Sequence, residues 1–114
     1  MKHVKKRIAK IVDELTTYFF SMGATDININ LKDEKEFYKI SLKCNYKYKG
    51  KEKIDKLIKS LKCEKQEGME EYFWELAGDS DVDTELTLVG MMTDEAEIDY
   101  NGNEIEVTLI KYKD

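Results

Sequence analysis

From Val4 onward, apolar residues recur at Ile8, Ile11, Val12, Leu15, Phe19 and Met22, in steps of three and four with one adjacent pair. That spacing lays a single apolar stripe along a helix. Gly23 follows the last periodic residue, where a helix commonly ends on a left-handed conformation. Phe20 falls roughly opposite the stripe on a wheel of about 100° per residue. The period then changes to two. Ile27, Ile29 and Leu31 alternate with Asn28, Asn30 and Lys32, which predicts a strand with one buried face. A polar turn, Asp33-Glu34-Lys35-Glu36, leads into Phe37–Tyr46, where Tyr38, Ile40, Leu42, Cys44 and Tyr46 share a face. The two runs predict a β-hairpin.

Lys47–Lys53 reads as a basic, glycine-containing loop. Ile54, Leu57, Ile58 and Leu61 predict a second helix. Met69, Tyr72, Phe73, Leu76 and Ala77 predict a third that stops at Gly78, with Trp74 on its other side beside Glu70 and Glu71. Asp79–Glu85 is an acidic connector. Periodicity leaves Leu86–Met92 open, because a short apolar run fits a strand and a buried helix equally. Ile98 and Tyr100 alternate before the turn Asn101-Gly102-Asn103, and Ile105, Val107 and Leu109 alternate after it, which predicts a closing hairpin. Helix, two strands, helices, an open run and two strands make an α/β two-layer sandwich. Its sheet is mixed and mostly antiparallel, of about four strands, with the helices on one face.

The length of 114 residues fits one domain over the whole chain. No proline and six glycines, with 41% hydrophobic and 38% charged residues, describe a compact, soluble fold. A membrane span is not expected, since no run of about 20 apolar residues occurs. The start, MKHVKKRIAK, runs into Asp13 and Glu14 without the apolar core of a signal peptide. Cys44 and Cys63 stand alone and form no disulfide framework. The expected location is therefore the cytoplasm, with free thiols.

Charge is divided along the chain. Residues 1–65 hold 17 Lys/Arg against 9 Asp/Glu, and residues 66–114 hold 2 against 15. The halves either neutralise each other across one domain or form two patches of opposite sign that steer a charged partner. The acidic total, a net charge of −5, argues against dedicated nucleic-acid binding. Lys43–Lys53 nonetheless interleaves Tyr46 and Tyr48 with five lysines, a pattern that can stack bases. The acids Asp79, Asp81, Asp83 and Glu85 do not make a calcium loop, because Thr84 and Gly90 fall where it needs glycine and a bidentate acid. His3, the sole histidine, offers no nucleophile–base pair.

Several strings resemble a known family. Leu88-Val89-Gly90-Met91-Met92-Thr93-Asp94-Glu95-Ala96-Glu97-Ile98, followed by Glu106–Lys111, is similar to the end of the anti-sigma-factor serine kinases, small members of the histidine-kinase-like ATPase fold. Gly23-Ala24-Thr25-Asp26-Ile27 resembles their junction from first helix to first strand, and the order of elements is alike throughout. The resemblance implies helix for Leu86–Met92.

It also implies an ATP site, and the matching positions depart from it. Glu14 stands where the family has a catalytic base, which leaves it as an acid on the helix surface. Tyr18 stands at the magnesium-binding asparagine, and a phenol is a poor ligand for a hard cation. Cys44 replaces the aspartate that reads adenine, and a thiol is a weak acceptor. Asp83 and Glu85 sit where a glycine-rich lid would wrap the triphosphate. Each carboxylate about 4 Å from a phosphate charge costs on the order of 1 kcal/mol even in water.

The expectation is a degenerate member of this fold without cofactor, metal or tight ATP binding, serving as a regulatory or scaffolding protein-binding module. The competing expectation is a residual nucleotide-dependent kinase or another small enzyme. Trp74 with Tyr72, Glu70 and Glu71, and then Phe20, are the candidate contacts for a protein partner or for self-association, since aromatics dominate interface hot spots.

Overall fold

The computed structural model describes residues 4–47, 50–62 and 84–113. In chain order they form α1 (Val4–Ser21), β1 (Ile27–Asp33), β2 (Phe37–Asn45), α2 (Gly50–Leu61), α3 (Thr84–Met92), β3 (Glu95–Tyr100) and β4 (Glu104–Tyr112). The predicted third helix, with most of the acidic connector, lies outside the described residues.

The first helix follows its apolar stripe and ends as a Schellman motif. The Ala24 and Gly23 amides donate to the Phe19 and Phe20 carbonyls at 3.1 and 3.0 Å, and Gly23 adopts φ 84°. The chain is thereby turned towards the sheet, and the Asn45 side chain holds it there. Its Oδ1 accepts from the Thr25 and Asp26 amides at 2.9 and 3.0 Å, and its Nδ2 donates to Thr25 Oγ1 at 2.8 Å.

Four strands form one open sheet in the order β1-β2-β4-β3. All three pairings are antiparallel, so the expected mixed sheet is corrected to a wholly antiparallel one. Two local hairpins meet along β2 and β4, with Ile40 opposite Leu109 and Leu42 opposite Val107. In the second hairpin turn, Asn101 Oδ1 accepts from the Asn103 and Glu104 amides, both at 3.0 Å.

The core lies between the helices and the two central strands. Ile11, Leu15, Phe19 and Met22 of α1 and its end, Ile54 and Leu57 of α2, and Leu86 and Val89 of α3 pack with Ile40, Leu42, Ile105, Val107 and Leu109. The run from Leu86 is a helix, as the family resemblance implied. It defeated periodicity because Leu86, Thr87, Val89 and Gly90 are all buried, and a helix apolar nearly all round shows no stripe.

Three further expectations are corrected. The second helix begins at Gly50, inside the stretch read as loop. Thr84 and Glu85 belong to α3 rather than to a connector. The alternating face of β1 is not buried: Ile29 and Leu31 remain 45% and 52% exposed. They lie directly opposite the core residues Leu42 and Ile40, so they face the helix side. Burial fades there because β1 is an edge strand and the helices cover the central pair.

The α2–α3 contact depends on Gly90. A Cβ there would stand 2.8 Å from the carbonyl oxygens of both Ser60 and Leu61. Gly90→Ala gains up to about 1 kcal/mol of helix propensity. Against that, it forces two backbones apart at a cost of about 1–3 kcal/mol. The expected result is a lower urea midpoint, with net destabilisation on the order of 1 kcal/mol; a raised midpoint would contradict this packing.

Candidate functional site

Of the five positions that the family resemblance points to, Tyr18, Glu14 and Cys44 make structural contacts. Tyr18 is 8% exposed, and its hydroxyl donates to the Lys53 carbonyl at 2.9 Å. The Lys53 ammonium lies 5.1 Å from the Tyr18 ring centroid and donates to Ser21 Oγ at 3.0 Å. Lys53 thus latches the first turn of α2 onto the last turns of α1.

Glu14, expected as an acid on the helix surface, is instead largely covered. Its side chain retains 14% exposure and pairs with Lys10 at 2.9 Å. Cys44 is buried in the core, and burial pushes its thiol up to about 11, which leaves it protonated and inert. Tyr18 and Cys44 belong to the same apolar core. Glu85 falls within α3, and Asp83 lies outside the described residues. Among the described residues no group of three His, Cys, Asp or Glu side chains is placed to hold a metal. No described helix is long and apolar enough to cross a membrane.

Of the proposed contact residues, Trp74, Tyr72, Glu70 and Glu71 lie outside the described residues. Phe20 is 62% exposed, as its position opposite the stripe predicts. The basic–aromatic stretch is not a stacking platform at Tyr46, whose hydroxyl donates to the Asn101 carbonyl and whose ring packs against Gly50.

The structure adds a site that sequence reading missed. Between the first half of α1 and the edge strand runs a groove of about 310 Å³, walled by Ile8, Ala9, Leu31, Tyr38 and Ile40 with Lys5 beside them. Asp33 and Lys113 close one end. Lys113 hydrogen-bonds to Asp33, and its ammonium lies 4.7 Å from the Tyr38 ring centroid. That bond holds the Asp33 carboxyl below its ordinary range and raises the Lys113 ammonium above its own. Glu34 also lies near Lys113 at that end, and the rest of the surroundings are basic. Lys5, Lys6, Arg7 and Lys10 are exposed along α1, and Lys32 and Lys39 also line the groove. Among the described residues no strand pairs with the outer side of β1. The one sequence signal for it is the Ile29–Leu31 alternation, which fits a buried face equally well because edge position is set by pairing order.

Tyr18→Phe removes the hydroxyl and with it the hydrogen bond from α1 to the Lys53 carbonyl. The expected loss is about 0.5–1.5 kcal/mol of unfolding free energy by urea titration; an unchanged midpoint would remove Tyr18 from the α1–α2 latch.

No protein-family model, no curated protein and no solved structure matches this chain.

Proposed function

We propose that this protein is a non-catalytic regulatory or scaffolding module that binds an extended, acidic segment of a partner protein along β1. The observation that carries the reading is the groove beside a strand edge that no described strand pairs with. An added strand would take its backbone hydrogen bonds from the outer side of β1 and set alternate apolar side chains against Ile29, Leu31 and the wall of α1. Acidic residues at the intervening positions would face the side of the sheet that carries Lys32 and Lys39, and Asp33, the one acid among the described lining residues, is already bonded to Lys113. The scaffold resembles that of the histidine-kinase-like ATPases in element order, and we read its nucleotide site as out of use. Support for that comes from Tyr18 and Cys44, which are committed to the core.

Selection from a random peptide library displayed on phage tests the groove. Enriched sequences should alternate apolar residues with Asp or Glu, and Leu31→Glu should weaken their binding at least tenfold, about 1.4 kcal/mol. Enrichment without that pattern, or binding indifferent to Leu31→Glu, would refute the site. Titration calorimetry with magnesium-ATP should show no heat of binding at micromolar protein; a micromolar dissociation constant would favour the kinase reading instead.

A further inference from the structure

The face of the sheet turned away from the helices carries the chain's charge division as a lateral gradient. By register, β1 and β2 present Asn28, Asn30, Lys32, Lys39, Ser41 and Lys43 on this face. Beside them, β4 and β3 present Glu106, Thr108, Ile110, Glu95, Glu97 and Asp99. The gradient contains two like-charge cross-strand pairs of opposite sign, Lys32 opposite Lys39 and Asp99 opposite Glu106. Directly opposed like charges destabilise a sheet by a few tenths to about 1 kcal/mol each. Among the described residues, none of these lysines or acids has an ion-pair partner within 4.0 Å. At one end the face is apolar: Phe37 lies opposite Tyr112, which is 46% exposed, and Ile110 adjoins them.

We infer that this face docks onto the same face of a second copy of the chain, about a two-fold axis parallel to the strands. Rotation about that axis exchanges left and right while preserving height along the strands. It carries β1 over the partner's β3 and β2 over the partner's β4. Row by row, Lys43 comes over the partner's Glu106, Lys32 over the partner's Glu95, and Phe37 over the partner's Tyr112. Every such contact occurs twice, as a two-fold interface requires. Facing sheets cross at about 30°, which blurs the rows without reversing the sign of any column. One member of each like-charge pair then faces an opposite charge, Lys32 the partner's Glu95 and Glu106 the partner's Lys43, while Lys39 comes over the partner's Ile110 and Asp99 over the partner's Asn28. The alternative two-fold, perpendicular to the strands within the face, sets lysines over lysines and is excluded by the same charges.

The footprint sets the strength. Four strands about 4.8 Å apart and roughly 23 Å long cover on the order of 450 Å² per copy. About 900 Å² in total is below the standard interface of roughly 1,600 Å². The dimer is therefore weak, and because exposed charges steer it, it is sensitive to salt. The inference shares Lys32 and Lys39 with the lining of the groove but uses the side of the sheet opposite Ile29 and Leu31, and it does not rest on the peptide-binding reading.

Sedimentation equilibrium of the whole chain tests it. In about 20 mM salt, where screening is slight, the protein should dimerise reversibly, and the dissociation constant should rise at least tenfold at about 0.5 M. The double variants Lys32→Glu with Lys43→Glu, and Glu95→Lys with Glu106→Lys, should each be monomeric. Mixed one to one, they should associate again, which shows that both are folded and that the charges face each other. Leu31→Glu should dimerise like the unaltered chain, so loss of the groove and loss of this interface are told apart. A chain that stays monomeric at low salt, or variants that fail to associate on mixing, would overturn the inference.

Discussion

The antiparallel seam between β2 and β4 is the constraint on which the rest of the molecule depends. It joins a hairpin from the basic half of the chain to a hairpin from the acidic half, over nine paired positions from Phe37–Tyr112 to Asn45–Glu104. One side of the seam supplies Ile40, Leu42, Ile105, Val107 and Leu109 to the core. The period of two leaves the other side to Lys39, Ser41, Lys43, Glu106 and Thr108. A slip of one residue would exchange the two sets and bury lysine and glutamate in place of leucine and valine. The core therefore specifies the register, and the register fixes where every surface charge stands.

The groove and the charged sheet face both follow from that seam. Because the apolar layer is built on the central strands, the outermost strands receive only partial cover. On β1 this leaves Ile29 and Leu31 open beside α1, a strand edge with an apolar shelf. Among the described residues no helix covers the opposite face, and antiparallel sheets tolerate water on one side. The charge division along the sequence becomes a division across space because each half of the chain contributes two adjacent strands.

Local chemistry was legible in the sequence wherever a residue's job concerns its near neighbours. Gly23 could be read as a helix stop because its Schellman bonds span five residues. Asn101-Gly102-Asn103 could be read as a turn for the same reason. The bond that Tyr18 makes was not legible, since its acceptor at Lys53 lies 35 positions away. Leu86–Met92 stayed open because a helix buried on nearly every side has no polar face to betray its period. The exposure of Ile29 and Leu31, and the placing of Lys32 against Lys39 and Asp99 against Glu106, depend on which strand lies beside which. Alternation along one strand carries no information about that order.

The most direct measurement is the ladder of nuclear Overhauser contacts between β2 and β4 in solution. Contacts linking Ile40 to Leu109, Leu42 to Val107 and Lys43 to Glu106 are the predicted result. A ladder shifted by one residue, or one in which β2 meets β3 instead, would dissolve the shared basis of the core, the groove and the charge gradient.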